Sequence, residues 1–73
     1  MTKWKFKQLL EERGITAYAL SRHLDGKVAR NLPYMWAKGP PKMLHFEALE
    51  NMAQGIEELS GKPVELKDFV VLA

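Results

Sequence analysis

The chain has 73 residues, 47% of them hydrophobic, with no cysteine and a formal net charge of +2. That length holds one domain, residues 1–73, whose core buries about 60% of the unfolded surface, and its apolar content excludes a disordered tail. Without cysteine there is no disulfide framework and no thiolate metal centre, which fits a reducing cytoplasm.

The first helix is expected from about Lys3 to Arg13, where Phe6, Leu9 and Leu10 recur at helical spacing and Trp4 flanks the core. Gly14 stops it at the position glycine favours after a helix. This stretch is amphipathic and charged, unlike the uninterrupted apolar centre of a signal peptide. No apolar run approaches the roughly 20 residues of a membrane span.

Thr16 is suited to cap the second helix, its hydroxyl accepting from a free amide of the first turn. Ile15 and Leu20 bracket that cap as a hydrophobic staple, and Leu20 and Leu24 share a face. Asp25-Gly26 ends the helix with turn chemistry. The third segment, "VARNLPYMWAKG", contains Pro33. A proline inside a helix costs about 3 kcal/mol, but in the first turn it removes no intrahelical bond. Either Asn31 is the cap and Pro33 the second helical residue, or Leu32 is the cap and Pro33 the first. Both place a helix of under two turns late in the segment.

"KGPPKM", residues 38–43, is a stiff linker. A fourth helix opens near His45 with the apolar stripe Phe46, Leu49, Met52, Ala53, Ile56 and Leu59. Gly55 weakens it by about 1 kcal/mol, which suggests close packing there. Gly61 and Pro63 end it. A short fifth helix is expected in "VELKDFV", and the final "VVLA" is a frayed tail, a small strand or a dimer contact. The expected fold is all-α, a compact five-helix bundle.

Residues 15–39 have the layout of a helix-turn-helix: a capped helix, a glycine turn and a short second helix ending at a glycine. Ala19 or Ser21 offers the small residue a close crossing needs, and Val28, Leu32, Met35 and Trp36 would hold the second helix to the core. On "FKQLLEERGIT", "TAYALSRHLDG", "VARNLPYMWAKG" and "FEALENMAQGIEELSGKPVELKDFV" the chain resembles the Xre-like regulators of the phage Cro and lambda-repressor type. The resemblance implies a lambda-repressor-like domain with C-terminal helices over 45–70. It further implies operator binding, commonly as a homodimer, and repression or activation of transcription. The chain departs from the pattern at Ala17, where the family usually has glutamine. It departs again in a longer "DGKVAR" turn, and at Ala37-Lys38, where an acidic residue is usual before the closing glycine.

Charge supports an anionic partner. Residues 1–42 carry nine Lys/Arg against three acids, net +6, while residues 43–73 carry two against six, net −4. Thr16 and the start of its helix would meet the DNA backbone. Lys27, Lys38 and Lys42 would neutralise phosphates. Arg30 and Asn31 lie where base edges are met, arginine pairing with guanine and asparagine with adenine. Arg30 is otherwise a solvated turn residue and Asn31 only a cap. Tyr34, one turn beyond Arg30, either touches base or phosphate or packs on Lys38.

His23 and His45 lack neighbours at ligand spacing, so no metal is expected. Glu11-Glu12 and Glu57-Glu58 read as solvated faces, not a catalytic pair. Ser21 and Ser60 lack a nucleophile elbow. No enzyme and no cofactor are expected. The expectation is a sequence-specific regulator, a repressor in the first instance, reading the major groove of double-stranded DNA with the helix after Asn31. One such module is small for tight binding, so a homodimer on a palindrome follows, with the apolar "DFVVLA" as the first candidate contact. The alternative is an antitoxin-like interaction module that neutralises a partner protein through its acidic half and apolar tail, with or without binding its own operator.

Overall fold

The computed structural model describes residues 2–72, so Met1 and Ala73, the ends of the expected domain and of the "VVLA" tail, lie outside the described residues. In chain order it contains strand β1 (Thr2–Trp4), helices α1 (Phe6–Glu12), α2 (Ala17–His23), α3 (Leu32–Lys38) and α4 (Phe46–Ser60), a 3-10 turn (Leu66–Asp68) and strand β2 (Val70–Leu72). The strands form a two-stranded antiparallel sheet with Thr2 opposite Leu72, Lys3 opposite Val71 and Trp4 opposite Val70. This overturns the five-helix all-α expectation: four α-helices surround the core and a small sheet ties one end of the chain to the other.

Two local features account for the difference. At the start, Trp4 and Phe6 both pack into the core. Residues two apart lie about 200° apart on a helix but on one side of an extended chain, so the first turn of the expected helix becomes β1. At the end, the stretch expected to be a fifth helix makes only a single 3-10 turn, in which the Asp68 carboxylate accepts from the Glu65 amide at 2.9 Å. The chain then extends, and the Lys5 amide donates to the Phe69 carbonyl at 2.6 Å. Phe69 is 1% exposed and Val70 and Val71 are half-buried. Most of the described part of the apolar tail is therefore covered within the molecule, while Leu72 stands out, at 86% exposure.

α1 ends as its sequence predicts. Gly14 adopts φ 67°, its amide donates to the Glu11 carbonyl, and the Ile15 amide donates to the Leu10 carbonyl. These are the paired bonds of a Schellman closure. At the start of α2 the Thr16 hydroxyl accepts from the Ala19 amide at 3.0 Å. α3 starts with Asn31 in the cap position and Pro33 in its first turn, as the first of the two expected placements has it. Asn31 does not cap with its side chain.

The core gathers Phe6, Leu9, Leu10, Leu20, Leu24, Trp36, Met52, Ile56 and Phe69. Trp36 is its hub. Its ring meets Phe6 edge-on at 5.5 Å and Trp4 edge-on at 5.4 Å. Pro33, one turn earlier, is also fully buried. Met35, expected to anchor α3, is exposed, because it lies on the side of the helix away from the Leu32–Pro33–Trp36 face. Phe46, expected in the α4 stripe, is 79% exposed at the first position of that helix. Gly55 does mark close packing: a Cβ there would stand 2.9 Å from Leu24 Cδ2 and 3.0 Å from Leu20 Cδ1.

Arg13 is a clasp. Its guanidinium donates to Ser60 Oγ and to the carbonyls of Lys62 and Pro63, and lies 3.8 Å from Asp68. It holds the end of α1 to the segment after α4. Its charge, counted with the basic half, is therefore directed inward.

Candidate nucleic-acid interface

The polar side of α2 is legible as a spacing. Tyr18, Ser21 and Arg22 recur at intervals of three and four and share one face of α2, and Asp25 continues the same spacing just beyond the end of the helix. Together with Arg30 and Tyr34 they line a groove of about 370 Å³ between α2 and the segment that leads into α3.

The wall of this groove is fixed by its backbone. The buried Ser21 hydroxyl donates to the Arg30 carbonyl at 2.8 Å, so Ser21, of the two small residues expected at the crossing, ties the long turn to α2. The turn itself folds through Gly26 at φ 87° and through hydrogen bonds that the Lys27 and Val28 amides donate to the Leu24 carbonyl. A single bridge pairs Asp25 with Val28. At the far end, the indole of Trp4 donates to the Trp36 carbonyl at 2.6 Å and holds the last turn of α3.

The side chains on this frame are free to meet a ligand. The Arg30 side chain is 86% exposed and its guanidinium lies 3.7 Å from the Asp25 carboxylate. Arg22 donates to the Tyr18 hydroxyl at 3.2 Å and its guanidinium stands 5.7 Å from the centre of that ring. Two arginines, two tyrosines and one carboxylate thus share one open surface, whose hydrogen-bonding and stacking groups suit an anionic, planar-ringed partner.

Of the residues expected to contact DNA, only Arg30 and Tyr34 come together in the groove. Asn31 is exposed at the start of α3 and its amide nitrogen reaches Met35 Sδ at 3.3 Å. Thr16 caps α2 from an exposed position. Lys38 lies in the last turn of α3 and Lys42 in the linker, both exposed. Lys27 lines a different hollow, with Val28, Leu32 and the first turn of α4. Tyr18, Arg22 and Asp25 were not expected at the site. Their helical spacing is the signal that finds them.

His23 meets Glu58 at 2.8 Å and links α2 to α4. Glu57, read as solvated, accepts from the Val64 amide at 2.8 Å. No helix among the described residues is long and apolar enough to cross a membrane. No family model, curated protein or solved structure matches the chain significantly.

Proposed function

We propose that the chain is a sequence-specific regulator that binds double-stranded DNA, of the Xre-like kind its motifs resemble, and that it acts by binding in the cytoplasm rather than by catalysis. The observation that carries this reading is the α2–turn–α3 unit. A capped helix and a second short helix are joined by a turn anchored through Ser21, with Arg30, Asn31 and Tyr34 exposed along its outer side. In this reading α2 lies across the backbone with Thr16 and its first amides against a phosphate, and α3 enters the major groove. Arg30 and Asn31 meet base edges, while Lys27, Lys38 and Lys42 neutralise phosphates. A homodimer on a palindromic site supplies the contact area that one small module lacks, and repression is the expected outcome of occupying an operator.

The test is a gel shift with duplexes selected from a random pool, titrated with salt. Binding should weaken steeply as salt rises, with a log–log slope near 0.9 per neutralised phosphate. Absence of duplex binding at low salt, or binding indifferent to salt, would sink the reading. Exposed acids on α4, with Phe46 and Met43 exposed nearby, favour a second reading as an antitoxin-like module that covers a basic partner. Co-purification of such a partner, without duplex binding, would select it.

A further inference from the structure

Asp25 has a place in the groove that a phosphate-binding surface does not require. Arg22 and Arg30 line the groove with it, and its carboxylate lies 3.7 Å from the Arg30 guanidinium. Both partners rise from fixed backbone: Ser21 holds the Arg30 carbonyl, and the Asp25 amide donates to the Arg22 carbonyl at 3.3 Å while its strand-like bridge pairs it with Val28. The pair is too exposed to matter for folding, since exposed ion pairs contribute little to stability. What it does place is a carboxylate beside the guanidinium before a ligand arrives.

We infer that Asp25 is a specificity-determining residue, which holds Arg30 in position for a base edge and bars it from settling on the nearest phosphate. The inference rests on the DNA-binding reading above. Arginine binds phosphate and guanine with the same planar fork of donors, so an unrestrained Arg30 serves any duplex. A carboxylate beside it imposes two conditions. It competes with phosphate for the guanidinium, and it repels the backbone wherever no base contact offsets that repulsion. Random duplex is penalised more than the correct site.

The test compares Asp25→Asn and Asp25→Glu with the wild-type chain, measuring affinity for a selected duplex and for a random duplex of equal length across a salt series. Asparagine serves the same turn, so the variant folds, which a thermal melt confirms. For Asp25→Asn, random-duplex affinity should rise and the selected-to-random ratio should fall about two- to five-fold, the range an exposed ion pair is worth. The salt slope on random duplex should steepen by about one unit as Arg30 takes a phosphate. Asp25→Glu should keep the wild-type ratio. In an Arg30→Ala background, Asp25→Asn should leave the ratio unchanged, because the residue acts through Arg30. An unchanged ratio in the single variant, or an equal response with Arg30 absent, overturns the inference and leaves the DNA-binding reading standing. Failure of the wild-type chain to bind either duplex at about 50 mM salt overturns both.

Discussion

The indole N–H of Trp4 donates to the backbone carbonyl of Trp36 at 2.6 Å. Within a helix the Trp36 carbonyl would accept from the amide four residues on, but that residue is Pro40, which has no amide hydrogen. The strand at the start of the chain thus completes the helix that precedes the proline linker. The same two rings meet edge-on at 5.4 Å. Trp4→Phe keeps most of the packing and removes the donor, and a lost bond to a partly buried carbonyl costs about 1–3 kcal/mol. Denaturant unfolding should show that loss with an unchanged m-value.

Ser21→Ala removes the hydroxyl that ties Arg30 to α2. The methyl fits the space, so the cost is the unpaired Arg30 carbonyl, about 1–2 kcal/mol. Amide exchange should quicken across residues 26–31 before it quickens in the core, because the turn loses its one side-chain anchor to α2. Uniform quickening throughout the molecule would mean that the bond supports the fold as a whole.

Gly55→Ala sets two effects against each other. Alanine improves helix propensity by about 1 kcal/mol. The added methyl, however, meets Leu24 Cδ2 at 2.9 Å and Leu20 Cδ1 at 3.0 Å. Both leucines are fully buried, so neither can swing into solvent. Overpacking of this kind costs about 1–3 kcal/mol, and the net expectation is a loss of about 1 kcal/mol. A stabilised variant in thermal melts would show that α4 moves away from α2 at little cost.

Arg13→Ala should cost more than an ordinary surface substitution. The guanidinium makes three hydrogen bonds, one to the last residue of α4 and two to the loop after it, and its side chain is only 14% exposed. About 2–3 kcal/mol is expected, since the hydrogen bonds involve a charged donor. Arg13→Lys should recover only part of it, because an ammonium cannot reproduce the planar fork. Full recovery by lysine would reduce the clasp to a simple charge effect.

Arg30→Ala addresses the proposed function directly. Loss of a bidentate base contact costs about 1–3 kcal/mol and relaxes the preference at one base pair. Repeating the selection with the variant tests this. Equal weakening on selected and random duplexes would demote Arg30 to a phosphate contact.

Where one helix ends and another begins was legible in local chemistry. Thr16 is a good cap wherever a helix follows it, Gly14 alone tolerates the left-handed turn after α1, and Pro33 restricts where α3 begins. These preferences act over one helical turn and need no distant partner. The polar face Tyr18–Ser21–Arg22–Asp25 was equally available as a spacing. Tertiary contact decided what local preference left open. Residues 2–4 have helical and extended options, and they pair as a strand because β2 supplies partners from the other end of the chain and Trp36 offers Trp4 a carbonyl. "VVLA" had three open readings, and burial of Phe69 against Phe6 and Trp36 drew residues 70–72 into the sheet. Arg13 looked like one more basic residue until the end of α4 and the loop after it brought three oxygen acceptors to it. Hydrogen bonds and apolar contacts between residues distant in the sequence form only when the chain closes on itself, and that closure cut an expected fifth helix to a single 3-10 turn followed by a strand and turned a surface charge into a clasp.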